Sequence, residues 1–122
     1  MSTQALTADT FQPTIQDGGI VLVDFWADWC GPCKQFAPVY ESASLKEDNS
    51  DITFGKVDTE DQQELSGALG ISSIPTVMVF RDGILLHAQP GALPPAALDD
   101  LISQVRALDM DEVRAKVAQE ES

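Results

Sequence analysis

One apolar run dominates the hydrophobic pattern of the chain. Residues 20–26 are apolar at every position except Asp24. A short continuous run bounded by turn residues, here Gly18-Gly19, predicts a strand buried on both faces. The period then changes. Phe36, Ala37, Val39, Tyr40 and Ala43 recur at helical spacing and predict a helix from Cys33 toward Glu47, kinked where Pro38 removes a hydrogen bond. Before the central run, residues 3–6 fit a short edge strand. Thr7 fits the N-cap of a helix over residues 8–16, with Phe11 and Ile15 on one face.

Downstream, residues 52–57 repeat the strand pattern, and Thr59-Glu60-Asp61-Gln62 has the spacing of a capping box that opens a helix closed by Gly70. Residues 76–80 predict another strand, and Arg81-Asp82-Gly83 a turn into a hairpin partner over 84–88. Gly91 ends that strand. Pro94-Pro95 opens a helix whose apolar stripe is Leu98, Leu101, Ile102, Val105 and Leu108. The order is β-α-β-α-β-α-β-β-α. It predicts an α/β chain, with a central mixed sheet flanked by helices on both faces. Beyond residue 108, Met110, Val113 and Val117 repeat at helical spacing with Asp109 placed to cap them. This predicts a domain over 1–108 and a C-terminal extension, 109–122, forming an extra amphipathic helix.

Two cysteines are the only ones in the 122 residues, and they follow the central run as Cys30-Gly31-Pro32-Cys33. The strand-to-helix switch places both at the first turn of a helix. The first amides of a helix lack partners and carry partial positive charge, which favours a thiolate over its thiol. Cys30, nearer the tip, is expected to be the exposed attacking sulfur, and Cys33 the shielded resolving one. A bridge over so short a loop removes little chain entropy, so the spacing points to redox use rather than to a staple. A zinc site within one chain lacks ligands: beside the cysteines there is one histidine, His87, on a strand far from the turn. Cys33, once buried, needs a base. Asp24 is the candidate, its own pKa lifted by desolvation. Pro32 stiffens the turn and offers no N–H to the Cys30 thiolate, which favours a reductant.

Trp26-Ala27-Asp28-Trp29-Cys30-Gly31-Pro32-Cys33-Lys34 resembles the active-site signature of the thioredoxin family. Lys56-Val57-Asp58, Ile74-Pro75-Thr76 and Gly91-Ala92-Leu93 fall where that family carries matching segments, so the resemblance covers about residues 4–108. It implies the thioredoxin fold and protein-disulfide reduction by dithiol–disulfide exchange. It implies that Lys56 lies beside Asp24 and moderates its shift, and that Pro75 is a cis-proline beside the site. It implies a contact patch for substrate made of Trp29, Gly31, Pro32, Ile74, Pro75, Gly91 and Ala92. The family's basic residue two places before Ile74 is Ser72 here, a difference that bears on partner choice. The expected partners are a thioredoxin reductase and disulfide-containing proteins. No cofactor is bound by the chain itself; NADPH and FAD serve the reductase. Two other readings share the fold: an interaction or assembly module, and a disulfide oxidase or isomerase.

Seven basic residues against twenty acidic ones leave a net charge of −13. That argues against nucleic acid, which needs cations to replace its counterions, and against anionic membranes. Residues 1–11 lack a basic and an apolar segment of the kind that directs export. The expectation is a cytoplasmic monomer with its thiols in a reducing compartment.

Overall fold

A computed structural model of the chain describes residues 3–121. Five strands form one sheet in the order β1-β3-β2-β4-β5. They are β1 (Gln4–Ala5), β2 (Ile20–Trp26), β3 (Thr53–Asp58), β4 (Thr76–Arg81) and β5 (Ile84–Pro90). β1 and β2 run parallel to β3, while β4 pairs antiparallel with β2 and β5. The sheet is therefore mixed, and β2, the apolar run, is its centre. The helices are α1 (Ala8–Gln16), α2 (Gly31–Ser44), α3 (Gln63–Ala68), α4 (Pro95–Ala107) and α5 (Met110–Glu121).

Alternation along β2 sorts the core into two layers. Ile20 and Leu22 face Phe36 and Tyr40 of α2 and Leu98, Ile102 and Val105 of α4. Val21, Val23 and Phe25 face Phe11 and Ile15 of α1. Successive side chains of a strand point to opposite faces. Asp24 therefore lies on the α2 face, in line with Leu22 and Trp26, and so does Lys56, the residue paired with Asp24 on β3. Helices do cover both faces, because β2 is apolar on both.

Several boundaries differ from the sequence pattern. α2 stops at Ser44, and a separate single 3₁₀ turn, Glu47–Asn49, follows it. Asn49 holds that junction by donating to the Ala43 carbonyl at 2.9 Å. Pro38 sits inside one continuous helix. The capping-box spacing at 59–62 does not open α3, which begins at Gln63 with no side-chain cap. The tertiary fold uses those residues otherwise. The Asp58 carboxylate accepts from the amides of Glu60 (3.0 Å) and Asp61 (3.4 Å), making a turn there, and Gln62 accepts from the Ala8 amide of α1 at 2.8 Å. Gly70, with φ of 72°, ends the helix as its spacing predicts. The edge strand at the N-terminus is only two residues long. β5 continues to Pro90 and carries an irregularity opposite Val79 and Phe80.

α5 forms as its period predicts. Asp109 accepts from the amides of Asp111 (3.0 Å) and Glu112 (3.3 Å), Met110 is buried, and Arg114 reaches Asp82 in the β4–β5 turn at 3.4 Å. Among the described residues, no helix is long and apolar enough to cross a membrane.

Candidate active site

The site grows out of the end of β2. The strand ends at Trp26, and Cys30 takes the N-cap position of α2 with extended backbone. Its sulfur does what an N-cap oxygen does elsewhere and accepts a hydrogen bond from the Cys33 amide at 3.2 Å. Gly31 and Pro32 are the first helical residues, where a missing N–H leaves no gap in the helix. Cys30 and Cys33 are joined by a disulfide. The structure thus holds the oxidised form of the pair.

Burial does not separate the two cysteines as their positions suggest. Cys30 is 4% exposed and Cys33 3%. Both pack with Ala27, Trp26 and Ile74, and the disulfide draws Cys30 in beside its partner. The asymmetry lies in what surrounds them. Trp29, next to Cys30, is 68% exposed, and Gly31 and Pro32 are exposed as well. Cys30 Sγ also lies 3.7 Å from the Ile74 carbonyl oxygen. Cys33 is followed by the fully buried Phe36 of the core.

Asp24 stands on the same sheet face as α2. It is 1% exposed, and neither carboxylate oxygen has a hydrogen-bond partner among the described residues. Burial of an unpaired carboxylate disfavours its charged form. Desolvation accordingly lifts its pKa from 3.8 to about 7, with the Lys56 charge pulling the other way. Lys56 is the residue paired with Asp24 across β2 and β3, and its ammonium lies 5.0 Å from the centre of the Trp26 ring. Tyr40 closes the region: its hydroxyl donates to the Gly55 carbonyl at 2.8 Å. Burial, and then the Asp24 charge, hold its pKa well above the ordinary phenol value.

Of the contact patch that the resemblance implies, Ile74 packs against the two sulfurs. The Ile74–Pro75 bond is cis. Gly91, with φ of 97°, donates its amide to the Pro75 carbonyl at 2.8 Å, so the loop after β5 is fixed against the proline loop. A positive φ is the backbone state that glycine adopts without strain. Ala92 follows on the surface. Trp29, Gly31, Pro32, Gly91 and Ala92 are all exposed, whereas Ile74 is half-buried and Pro75 buried. His87 lies apart on β5, bonded to Gln89 at 2.9 Å. Two residues escaped the sequence reading. Glu60 accepts from Trp29 Nε1 at 2.7 Å and fixes the exposed indole, and Ser66 is buried on α3. Glu60 is 31 positions from Trp29, and no local pattern marks that pairing.

The comparisons with known proteins agree with this geometry. The family model described as Thioredoxin matches residues 2–104. A protein of Streptomyces coelicolor, provisionally named thioredoxin 2, is 60% identical over 121 residues, covering 99% of this chain and 89% of its own. That match includes α5, which lies outside the family model. The thioredoxin of Bacillus subtilis is 39% identical over 101 residues, 83% of this chain and 90% of its own. Among solved structures, the thioredoxin of Malassezia sympodialis superposes with a TM-score of 0.77 at 33% identity, covering 85% of this chain and 93% of that one. A sulfur pair bonded at a helix N-terminus, on a sheet of this order and with relatives of this identity, places the chain in the thioredoxin family, as a disulfide oxidoreductase.

Proposed function

We propose that the protein is a protein-disulfide reductase in which Cys30 attacks and Cys33 resolves. The observation that carries the reading is the Cys30 sulfur at the α2 N-cap, accepting from the Cys33 amide. In the reduced protein the same position favours the Cys30 thiolate, the form that attacks. The thiolate displaces one sulfur of a substrate disulfide, which leaves as a thiolate, and a mixed disulfide forms. Cys33 then gives its proton to Asp24 and attacks Cys30 Sγ. The second substrate sulfur leaves, and the Cys30–Cys33 bond of the present structure results. Two electrons pass from the dithiol to the substrate.

Asp24 suits the base. It shares the α2 face, lacks a partner, and has its pKa lifted to about 7, so it takes a proton near neutral pH. Lys56 keeps that pKa from rising further. Trp29, Gly31, Pro32, Ile74, Pro75, Gly91 and Ala92 form the surface on which the substrate rests, with the Ile74 backbone open to pair with an extended segment. The chain works without a resident cofactor. A thioredoxin reductase returns it to the dithiol, with NADPH and FAD on that partner, and so it serves electron transport between the two proteins. The acidic charge and the redox use of the cysteines fit a cytoplasmic monomer.

The test is NADPH consumption with a thioredoxin reductase and a protein disulfide as substrate. The wild type turns over, Cys30→Ser does not, and Cys33→Ser accumulates a mixed disulfide visible by mass. Turnover surviving in Cys30→Ser would sink the assignment and favour an assembly module. A mixed disulfide that forms only with reduced partners would favour an oxidase.

A further inference from the structure

One buried titratable group, Tyr40, has no part in the exchange described above. It is fully buried on α2, seven residues after Cys33, and positions seven apart share one helix face. The stripe that carries the resolving sulfur therefore carries the phenol as well. The ring packs against Phe36 at 5.6 Å and Phe54 at 5.3 Å. Its hydroxyl crosses from the helix to β3 and donates to the Gly55 carbonyl at 2.8 Å. Among the described residues, no other α2 side chain bonds to a strand. Gly55 directly precedes Lys56, the residue paired with Asp24. The anchor is held from the other sheet face, where Leu6 fills the place of a Gly55 side chain. Between Cys33 and Tyr40 stands Pro38, which has no N–H for the Lys34 carbonyl. The turn that holds the sulfurs is thus joined to the rest of α2 by one backbone bond fewer, and Tyr40 ties the helix down just beyond that point. Burial, and then the Asp24 charge, keep the phenol protonated, so the donor stays a donor at neutral pH.

We propose that Tyr40 is a positioning residue for the resolving step: by tying α2 to the strand that carries Lys56, its hydroxyl fixes the height of Cys33 over Asp24. The inference rests on the reductase reading above. In that step the Cys33 thiol gives its proton to the Asp24 carboxylate and its sulfur bonds to Cys30 Sγ. The bond from Cys30 to the substrate breaks, and the substrate sulfur leaves as a thiolate. Proton transfer needs its two heavy atoms within hydrogen-bond reach or one water apart, and a misplacement of about 1 Å can cost up to about a hundredfold. The attack by Cys30 needs no proton acceptor in the sheet and does not depend on that height. The charged and titratable groups around the gap are Asp24 on β2, Lys56 on β3 and the two cysteines at the start of α2, while α4 brings Leu98, Ile102 and Val105 to this core.

The experiment uses the full chain, reduced with dithiothreitol and desalted. It is mixed with an oxidised peptide between pH 5.5 and 8.5 and quenched with acid. Mass spectrometry separates the dithiol, the mixed disulfide and the Cys30–Cys33 disulfide. Loss of dithiol reports the attack, and conversion of the mixed disulfide reports the resolving step. In Tyr40→Phe the ring stays and the hydroxyl goes. Its attack is expected at the wild-type rate, and its resolving step about three- to tenfold slower at pH 8. The deficit shrinks below about pH 7, where the Asp24 carboxyl holds its proton in both chains. In an Asp24→Asn chain, Tyr40→Phe slows resolution no further. Should Tyr40→Phe not fold, Tyr40→Met, which also lacks the hydroxyl, takes its place. Equal resolving rates in variant and wild type overturn the proposal. So does a deficit that both steps share, one that is the same at every pH, or one that persists in the Asp24→Asn chain, since each marks a merely structural residue. If the wild type forms neither the mixed disulfide nor the Cys30–Cys33 bond, the reductase reading falls. If it forms both and the variant resolves as fast, only the role of Tyr40 falls.

Discussion

The two ends of β2 are built on opposite principles. At its N-terminal end, beside Ile20 and Val21, the cations find acceptors. Arg81, paired with Ile20, donates to the carbonyls of Val105 (2.8 Å), Arg106 (3.3 Å) and Leu108 (3.3 Å) at the end of α4, where carbonyls run short of helical partners. Arg106 forks onto Asp51 at 2.8 and 2.9 Å and reaches the Asp48 carbonyl at 2.8 Å. That pairing holds the Asp51 carboxyl below its ordinary pKa through the Arg106 hydrogen bond. At the C-terminal end four buried side-chain atoms have no hydrogen-bond partner among the described residues: both oxygens of Asp24, Trp26 Nε1 and, nearby, Ser66 Oγ. Buried unpartnered groups cost stability, and they persist where the chemistry uses them. Among the described residues, the buried side-chain atoms without a partner thus lie toward the sulfurs and not at the opposite pole.

The sharpest break of this contrast is Asp24→Asn. In the folded chain the carboxyl keeps its proton to about pH 7, whereas an unfolded one releases it near 3.8. Between those values the unfolded state binds fewer protons, so wild-type stability falls as pH rises. The gap converts to about 4 kcal/mol once both states are ionised. Denaturation of Asp24→Asn should therefore match the wild type near pH 4 and exceed it increasingly to pH 8. A constant difference across that range would show that Asp24 is not desolvated. The same variant should slow release of substrate from the mixed disulfide, because Cys33 loses its proton acceptor.

At the satisfied pole the sign reverses. Arg81→Met is expected to cost about 1 kcal/mol at every pH from 5 to 9, since it strips the donor from the partly buried Val105 carbonyl. Urea midpoints at both ends of that range test it, and disulfide reduction should be unaffected. Truncation after Leu108 removes the buried Met110 and the Arg114 link to Asp82, and should cost about 1–2 kcal/mol. Thermal unfolding of the shortened chain measures this. The smallest effect is Gly67→Ala. Nothing lies within 4 Å of the added methyl, and alanine favours helix over glycine, so α3 should gain about 0.5–1 kcal/mol. A loss instead would show that this side of α3 is less open than its geometry indicates.

The strands, the hairpin, the helix order and the sulfur pair were legible in the sequence because each rests on local signals: period, turn chemistry and the two-residue spacing of Cys30 and Cys33. The end of α2 and the start of α3 were not. At 59–62 a spacing that suits a helix cap lost to a tertiary use of the same residues, with Asp58 folding the amides of Glu60 and Asp61 into a turn. Asp24 was legible as an odd carboxylate in an apolar run.

The sequence alone determined that a carboxylate would lie inside the sheet, next along the chain from a pair of sulfurs at a helix start, since burial and periodicity are set residue by residue. Only the tertiary structure decided that Asp24 shares the α2 face and has no hydrogen-bond partner among the described residues. It alone decided that both cysteines are equally covered when bonded, and that Glu60 holds the exposed indole of Trp29. Those facts depend on contacts between segments tens of residues apart, and such contacts leave no period behind.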